Sequence, residues 1–396
     1  MSGEGGTPPM SPETGPNPPP DGPPSSVLVY TWMDPENPRA GGDVKFLTEI
    51  FLRLVRDGSQ VRWVASRIPG RPTESRYRGI EIYRIGSIFS VFFVHHFSRR
   101  ARGRARPTLV LETVSSVPFF LRTRPGENTA AIIQHVIPFS QIWRKVGPFA
   151  PVVYILDRIL APMLYRTRPV LVPSLATERE VRGLGYAYVF RFKLGADPIE
   201  WDPDRKQALV VAPGPVKPWK HHEDIIRAFT SVGPEWKLVV FGSFETSELE
   251  RTLRREVSQM GLEERVQLLG RISEGQKIDL LRRASVCVMA SEKEGWCLAA
   301  MEAQAAGCPV VAYAVEGLTE SVVTGKTGLL VPPGDRNGLA HALARVTSDA
   351  RLRHELAEGA AVWSRSFDWE SSYRDFCGLL RRISSAPRPE GRGSAP

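Results

Sequence analysis

Residues 285–313 have the sequence SVCVMASEKEGWCLAAMEAQAAGCPVVAY, and they decide the predicted fold. The runs at 285–289 and 309–313 are short, apolar and rich in valine, which is typical of buried strands. Residues 298–306 lie between them and are predicted as a helix. A strand, a helix and a second strand in this order indicate a parallel sheet with helices on its faces.

The same alternation continues towards the N-terminus. Further apolar runs alternate with helical patterns back to residue 206, and a second series starts with the apolar run 27–32. The helix predicted next, at 43–55, has apolar residues every three or four positions. We therefore predict two Rossmann-like parallel-sheet domains, 27–205 and 206–365. Open parallel sheets bind ligands beyond the carboxyl ends of their strands, so the site is expected in the cleft between the domains.

Both ends of the chain have a different composition. Residues 1–26 contain nine prolines and five glycines, and residues 385–396 are similarly rich in proline, glycine and serine. Such segments bury too little apolar surface to offset the entropy lost on ordering. We predict disordered tails at both ends.

The net charge of +9 is unevenly distributed. Residues 27–205 hold 27 basic and 16 acidic residues, a charge of +11, whereas residues 206–396 hold 25 and 24. A basic half is typical of proteins that bind nucleic acid, and also of enzymes in which one domain faces an anionic partner. Charge alone leaves both classes open.

The cysteines and the apolar stretches indicate a compartment. No C-x-x-C pair occurs among the four cysteines, which favours a reduced, cytoplasmic protein; they are Cys287, Cys297, Cys308 and Cys377. The N-terminus has no charged start followed by an apolar core, so no secretory signal is expected. The apolar stretch 149–165 contains Asp157 and Arg158, and we expect it to be too short and too charged to span a bilayer.

Two glutamates stand out in the stretch that decides the fold. Glu294 lies in the loop after a predicted strand, and Glu302 lies eight residues later in the predicted helix. The free N–H groups at such a helix start bind phosphate or sugar oxygens. Carboxylates are pure acceptors and suit the vicinal hydroxyls of a sugar or ribose. The alternative is a solvated amphipathic helix with an acidic start.

Residues 291–335 closely resemble the donor-binding segment of retaining glycosyltransferases of family 4, which have the two-domain GT-B fold. That family has E-G-F-G-L with a second Glu eight residues after the first, then A-x-G-x-P-V-V-A, G-L-x-E-x-V and G-x-T-G-L-L-V-P-P-G-D. This chain has EGWCLAAMEAQAAGCPVVAYAVEGLTESVVTGKTGLLVPPGD, without a gap.

The resemblance implies roles for single residues. Glu294 would contact hydroxyls of the transferred sugar, and Glu302 the ribose hydroxyls of the nucleotide. Cys297 stands where the family usually has glycine. The backbone amides of four successive residues would contact the sugar and the diphosphate, namely Gly295, Trp296, Cys297 and Leu298.

The resemblance extends upstream in the second domain. Gly270-Arg271 is similar to the loop near the nucleotide base, so Arg271 is a donor-binding candidate. Lys220 matches the basic residue that neutralises the donor diphosphate, whose charge grows as the glycosidic bond breaks. Its usual arginine partner is replaced by Pro215. Lys217 is the nearest substitute, although lysine cannot copy a bidentate guanidinium.

Two features of the first domain also fit the family. Residues 37–42 are N-P-R-A-G-G, and the resemblance implies that the amides of Gly41 and Gly42 face the diphosphate and the acceptor. His135 follows a predicted strand and would contact the transferred sugar. Taken alone, the glycines also fit an ordinary tight turn, and a single histidine is more often structural. The resemblance covers roughly residues 27–380, is weakest between 85 and 125, and implies a C-terminal helix at about 366–384 that crosses back to the first domain.

Three other patterns are interpreted as coincidental. Asp202-Pro203-Asp204 has the form of a metal-binding D-x-D, but it lies in the junction between the domains and is expected to be a turn. Residues 325–327 copy the end of a P-loop, whose required first glycine is Glu320 here. The sequence also lacks the G-x-G-x-x-G of nicotinamide-binding proteins after a predicted strand.

A basic run extends from Arg99 to Arg106, directly after the apolar residues 87–97. An apolar helix beside an arginine cluster is a candidate for contact with an anionic membrane. A core helix followed by a solvated loop is the alternative. We therefore expect a cytoplasmic protein, with peripheral attachment at the inner face of the membrane as a further hypothesis.

These observations predict a bacterial, metal-independent retaining glycosyltransferase without a cofactor, whose donor is a nucleoside diphosphate sugar, with a UDP-sugar favoured. His135, Glu294 and Lys220 would be catalytic. The acceptor would be a polysaccharide, a lipid-linked sugar or a secondary metabolite. Two alternatives stay open: a catalytically weak sugar-nucleotide binding protein, because of Pro215, and a basic nucleic-acid-binding protein, because of the +11 half.

Overall fold

The computed structural model describes residues 22–94, 107–115, 117–121 and 128–385. Most of the two predicted tails, and the basic run from Arg99 to Arg106, lie outside these residues. Two residues that the sequence assigned to the tails are ordered parts of the fold. Ser26 begins the first strand and Ser385 ends the last helix.

An eight-stranded sheet forms the centre of the first domain. Its strands are β1 (Ser26–Tyr30), β2 (Gln60–Ala65), β3 (Glu74–Tyr77), β4 (Ile80–Arg84), β5 (Leu109–Thr113), β6 (Asn128–Ile132), β7 (Val170–Val172) and β8 (Val189–Arg191). The order across the sheet is β3-β4-β2-β1-β5-β6-β7-β8, and only the edge strand β3 is antiparallel to its neighbour. The hairpin β3–β4 and strand β8 were not predicted. The edge strands β3 and β8 are short and lack a continuous apolar run, whereas β4 has the alternating pattern of a half-buried strand, a signal that the prediction missed.

A six-stranded parallel sheet forms the centre of the second domain. Its strands are β9 (Leu209–Pro213), β10 (Lys237–Phe241), β11 (Val266–Gly270), β12 (Val286–Met289), β13 (Val310–Tyr313) and β14 (Gly328–Val331). The order is β11-β10-β9-β12-β13-β14. Counted within the domain this is 3-2-1-4-5-6, the Rossmann order, whose reversal point at β9 and β12 opens a crevice for ligands. The prediction of two Rossmann-like parallel-sheet domains is confirmed.

Helices cover the faces of both sheets. In the described residues they are α1 (Gly42–Arg56), α2 (Val91–Val94), α3 (Phe139–Val146), α4 (Ala150–Ile155), α5 (Ala161–Leu164), α6 (Leu175–Gly183), α7 (His222–Phe229), α8 (Ser247–Gln259), α9 (Glu274–Arg283), α10 (Leu298–Ala305), α11 (Leu318–Ser321), α12 (Arg336–Ser348), α13 (Ala350–Ser364) and α14 (Trp369–Ser385).

Helices α3 to α5 form one helical run, Phe139–Leu164. A 3-10 turn at Gly147–Phe149 and a π turn at Leu156–Leu160 connect them. The run has 26 residues and a mean hydropathy of 1.3 in its most apolar window, so by length and composition it is a candidate membrane span. This differs from the expectation for 149–165, because the helix begins at Phe139, well before the apolar stretch identified in the sequence.

The last helix returns to the first domain, as the resemblance implied. Trp369, Tyr373 and Phe376 of α14 are buried in the hydrophobic core of the first domain. Phe376 meets Phe46 of α1 edge to face, with ring centroids 6.1 Å apart. Helix α14 therefore completes the first domain, although it follows the second domain in the chain.

We expect Phe376→Ala to destabilise the protein by about 3–5 kcal/mol, because it leaves a large cavity in a core that cannot collapse fully. Urea denaturation of purified protein measures this. Arg374→Ala, at an exposed position of the same helix, serves as the control and should change stability by less than about 0.5 kcal/mol. Equal stability of the two variants would mean that α14 is not part of the core.

Candidate functional site

The carboxyl ends of strands from both sheets meet at one cleft. Gly41 and Gly42 lead into α1, and His135 follows β6 in the first domain. In the second domain, Lys220 lies after β9 and Glu294 after β12. Parallel strands deliver these loops to the same edge of each sheet, so residues far apart in sequence face one another.

Glu294 and Lys220 form an ion pair within the second domain. The Lys220 ammonium donates to Oε1 of Glu294, and the Ser291 hydroxyl donates to the same oxygen at 2.7 Å. Burial acts to lower the pKa of Lys220, but the neighbouring Glu294 carboxylate outweighs this and raises it. The lysine is therefore a fixed cation. Lys220 and Glu294, which were separate candidates in the sequence, are in direct contact.

His135 lies opposite this pair, on the first-domain side of the cleft. A Cβ atom at Gly295 would lie 2.3 Å from the carbonyl oxygen of Gln134 and 3.6 Å from Cβ of His135, so the two loops are in close contact. The surrounding protein lowers the pKa of His135 to about 4, Lys145 and Lys220 acting in the same direction and Glu294 against it. The imidazole is reachable by solvent from the cleft and is neutral at pH 7.

Glu302 is enclosed by lysines from both domains. The residue is only 6% exposed, and Lys277 of α9 donates to both of its oxygens at 2.9 Å. Lys45 of α1, in the first domain, donates to Oε1 of Glu302 and to Asp197 at 2.6 Å. Burial acts to lower the pKa of Lys45, but these two carboxylates raise it above the ordinary lysine value. A carboxylate has about four lone-pair sites, so roughly one stays available for a ligand hydroxyl.

Three carboxylates approach one another here, which raises the question of a metal ion. Oxygens of Asp197, Glu274 and Glu302 lie within 4.8 Å of one another. Lys45 and Lys277 already supply two ammonium groups to the same carboxylates. Their two positive charges offset two of the three negative charges, and each of the three carboxylates is paired with at least one ammonium group. The D-x-D pattern forms a turn, as predicted, in which Asp202 accepts from the backbone N–H of Asp204 at 3.0 Å.

The loop from Gly295 to Leu298 belongs to the second domain and packs against the first domain. The side chains of Trp296 and Leu298 pack against the core of the first domain, and Trp296 lies 5.4 Å from Phe367 between ring centroids. A Cβ at Gly42 would lie 3.2 Å from Leu298. The predicted donor-binding glycines are thus at the cleft, and they permit close approach of the two loops.

Cys297 adopts the backbone conformation that favours glycine. It caps the N-terminus of α10 with φ of 72° and ψ of 75°, in the left-handed region. Most residues pay a steric cost there, which explains why a family pattern would place glycine at this position. Burial and the nearby Glu294 raise the pKa of the thiol to about 12, which keeps Cys297 protonated at neutral pH.

Lys217 and Lys145 flank one tryptophan at the mouth of the cleft. The ammonium of Lys217 lies 5.2 Å from the ring centroid of Trp219, and that of Lys145, from the first domain, lies 5.6 Å from it. Neither lysine has a carboxylate within 4.0 Å in the described part of the chain. Surrounding protein lowers the pKa of Lys145, and Lys217 lowers it further, although solvent reaches the ammonium. Glu245 and Asp43 act to raise the pKa of both lysines without pairing with them within 4.0 Å, so the two cations make this a candidate position for an anion.

Arg271 is not brought to the other candidates by any contact in the described residues. It is exposed, at the end of β11 and before α9. Pro215 is also exposed, and its side chain carries no charge.

Two further contacts hold the domains together. Glu320 of the second domain accepts hydrogen bonds at 2.9 Å from the backbone N–H groups of Leu175 and Ala176, at the start of α6. Lys293 pairs with Glu180 of α6. A carboxylate at a helix N-terminus is favoured by the free amides and the helix dipole.

Several residues of the site were not singled out from the sequence. Lys45, Lys145 and Lys293 lie on helices or loops where a lysine is usually a surface residue. Lys277 begins a segment that resembles the family's helix near the nucleotide base, but no role was predicted for it. The helix pattern of α1 offered one signal, because Lys45 lies beside the predicted glycines and close to buried positions. Their partners are 25 to 257 residues away in sequence, so no local pattern identifies them.

The chain matches known proteins in its sequence. Residues 196–363 match the family model of glycosyl transferases group 1, so the chain carries a domain of this type. The D-inositol 3-phosphate glycosyltransferase of Stackebrandtia nassauensis is 31% identical over 240 residues, which are 57% of this chain and 53% of that protein. The protein of the same name from Kribbella flavida is 45% identical over 92 residues, which are 23% of this chain and 22% of that protein. The chain thus spans about half the length, or less, of the curated relatives it matches.

Solved structures show the fold. Sucrose-phosphate synthase from Thermosynechococcus elongatus has a TM-score of 0.78 and 20% identity, over 92% of this chain and all of that chain. HepE of Anabaena, solved in complex with UDP-glucose, has a TM-score of 0.69 and 15% identity, over 90% of this chain and 99% of that chain. The two Rossmann-like domains have the GT-B arrangement of these proteins.

We expect Cys297→Gly to be at least as stable as the wild type, because glycine adopts positive φ without steric cost. Cys297→Val should lose about 1–2 kcal/mol or more, since a β-branched residue is strongly disfavoured there. Thermal and urea unfolding of the two variants compares them directly. Equal destabilisation would show that loss of the thiol, and not the backbone conformation, governs this position.

Proposed function

We propose that this protein is a cytoplasmic retaining glycosyltransferase that transfers a sugar from a nucleoside diphosphate sugar. The observation that carries the proposal is the cleft in which Glu294, paired with Lys220, faces His135 at the N-terminus of α10. This arrangement offers a carboxylate for sugar hydroxyls, a cation for the leaving phosphate and free helix amides for its oxygens. The group 1 glycosyltransferase domain at 196–363 supports it.

The donor would lie across the second-domain side of the cleft. Glu302 would accept from the ribose hydroxyls, with Lys277 and Lys45 holding its carboxylate in place. The diphosphate would lie between Lys220 and the amides from Gly295 to Leu298, with Gly41 and Gly42 opposite. HepE, which has the same fold, was solved with UDP-glucose, and this favours a UDP-sugar as the first donor to test.

The reaction would break the bond between the anomeric carbon and the diphosphate oxygen. The acceptor oxygen would attack on the face from which the diphosphate leaves, and its proton would pass to the departing phosphate oxygen. Glu294 and neutral His135 would stabilise the developing positive charge at the anomeric carbon, and Lys220 the growing charge of the diphosphate. This scheme uses neither a metal ion nor a cofactor.

A cation from the first domain would replace the missing arginine at Pro215. Lys145 and Lys217 lie at the cleft mouth around Trp219 without carboxylate partners in the described residues. A pair of cations contributed by both domains would hold an anionic group of the substrates, the donor diphosphate above all. The cleft would then bind the diphosphate only when the two domains are together.

Two observations bear on the identity of the acceptor. The curated relatives are named as D-inositol 3-phosphate glycosyltransferases, which makes a phosphorylated polyol one candidate. The charge of +11 on residues 27–205 favours an anionic acceptor in general. A polysaccharide, a lipid-linked sugar and a secondary metabolite remain within the proposal.

A sugar-nucleotide binding protein without turnover is the alternative that Pro215 motivates. It predicts donor affinity without donor hydrolysis or transfer, even with a broad panel of acceptors. A nucleic-acid-binding protein would instead show affinity that falls steeply with salt, and it leaves the Glu294–Lys220 pair without a role.

Glu294→Gln should bind the donor but lower its hydrolysis or transfer by about 10²-fold or more, because a charged group at the reacting carbon is lost. Thermal shifts with UDP-, GDP- and ADP-sugars first identify the donor, and turnover is then measured by release of the nucleoside diphosphate. Glu292→Gln is the matched control, since Glu292 lies two residues away and contacts His221 instead. Full activity of Glu294→Gln would remove Glu294 from the mechanism.

Lys145→Ala should weaken binding of UDP by about tenfold, while binding of uridine stays unchanged, because only the diphosphate needs the cation. Calorimetric titration of the two ligands separates these effects. Lys145→Arg should restore most of the affinity, and Arg144→Ala, next to it on α3, should bind like the wild type. An equal loss for uridine and UDP would assign Lys145 a structural role.

A further inference from the structure

The first domain carries an unusual concentration of exposed apolar side chains. Of the fourteen large hydrophobic residues that are exposed in the described part of the chain, nine lie in the helical run Phe139–Leu164. Within the run, the most exposed side chains are Phe149 at 72% and Met163 at 71%. Soluble monomers rarely expose contiguous apolar surface of this extent. We call these exposed residues of the run the apolar face.

The opposite side of the run packs on the first domain. Ile142, Ala150, Ala161 and Pro162 are buried there. The run therefore lies along the protein surface, with one side held by the domain and the other facing outwards. A helix that crossed a bilayer could not keep these contacts with the α/β domain, so this geometry is that of an interfacial helix.

The charges around the apolar face are positive. Asp157 is the single acid between residues 139 and 168, and it pairs with Arg158 at 3.2 Å. Arg144 and Arg166 are exposed. Two copies of the chain joined through this face would bring like charges together, whereas anionic lipid headgroups complement them. Trp143 and Tyr154 on the face are of the types enriched at membrane–water boundaries.

We propose that the apolar face is a docking surface for a membrane with anionic lipid headgroups. The face would enter the boundary between headgroups and acyl chains, and the flanking cations would contact the headgroups. The proposal stands on described residues and is independent of the basic run from Arg99 to Arg106.

The position of the apolar face also favours one class of acceptor. This inference rests on the proposed function. Helix α3 begins four residues after His135, and its Lys145 lies over Trp219 of the second domain. The docked surface thus adjoins the cleft at its first-domain side. An acceptor with a membrane-embedded chain would reach the cleft without leaving the bilayer, which favours the lipid-linked class among the proposed acceptors.

Co-sedimentation with vesicles tests the docking surface. Wild-type protein should bind vesicles of phosphatidylcholine and phosphatidylglycerol, and bind pure phosphatidylcholine more weakly. The double variant Phe149→Ser/Ile155→Ser should bind the mixed vesicles at least about tenfold less, because two large apolar side chains no longer enter the lipid. Leu269→Ser/Val362→Ser removes two exposed apolar residues of the second domain and should bind like the wild type.

Three outcomes would overturn the docking proposal. One is equal vesicle binding by the wild type and the Phe149→Ser/Ile155→Ser variant, and another is no vesicle binding by the wild type. The third is a wild-type dimer in light scattering that this variant abolishes while neither protein binds vesicles, which would make a second copy the occupant.

Binding of UDP and hydrolysis of the donor, both measured without vesicles, keep the two proposals separate. The Phe149→Ser/Ile155→Ser variant should retain both, since neither residue lies in the cleft. Vesicle binding without any donor binding would leave the docking surface intact and refute the proposed function. Donor binding without vesicle binding would leave the proposed function intact and refute the docking surface.

Discussion

The cleft depends on the neutralisation of one buried carboxylate. Glu302 lies almost completely out of solvent, and an anion in that position is stable only when cations and hydrogen bonds surround it. Lys277 comes from the same domain, but Lys45 comes from α1 of the other. Since Lys45 also pairs with Asp197, and Asp197 accepts from Trp369 of the crossing helix α14, this one requirement links both domains and the C-terminal helix.

The other charged groups of the cleft differ in how completely they are paired with opposite charges. The Lys220–Glu294 pair is complete within one domain and leaves a fixed cation and a fixed carboxylate side by side. Lys145 and Lys217 have no such partner in the described residues and face the cleft mouth. The structure thus separates charges that hold the fold from charges that are available to a ligand.

The two departures from the family pattern have different physical consequences. Cys297 adopts the left-handed conformation that favours glycine, so the substitution is compatible with the backbone at the start of α10. Pro215 offers no cation where the family pattern has arginine, and the cations around Trp219 come from Lys217 and, in the first domain, Lys145. A substitution that preserves backbone conformation is compatible with the site, whereas a lost charge must be supplied from elsewhere.

Much of the fold and part of the site were predictable from local sequence. Apolar runs alternating with helical patterns determined two parallel sheets, because strand and helix periodicity are properties of neighbouring residues. Glu294 and His135 follow predicted strands, and Lys220 and Glu302 lie in the motifs further along the chain, so the sheets bring all four to one cleft. The edge strands β3 and β8 were missed, since short, half-exposed strands have no strong pattern, and β4 was missed although its residues alternate between apolar and polar.

The sequence by itself determined the two Rossmann-like domains and the loops that carry the proposed chemistry, because these depend on the order of local elements. Only the tertiary structure decided which lysines face those loops and which apolar residues stay exposed. Lys45 meets Glu302, 257 residues away, and Lys145 meets Trp219 in another domain. The helical run Phe139–Leu164 is apolar in sequence like a core helix, and its exposure depends on what the rest of the fold leaves uncovered.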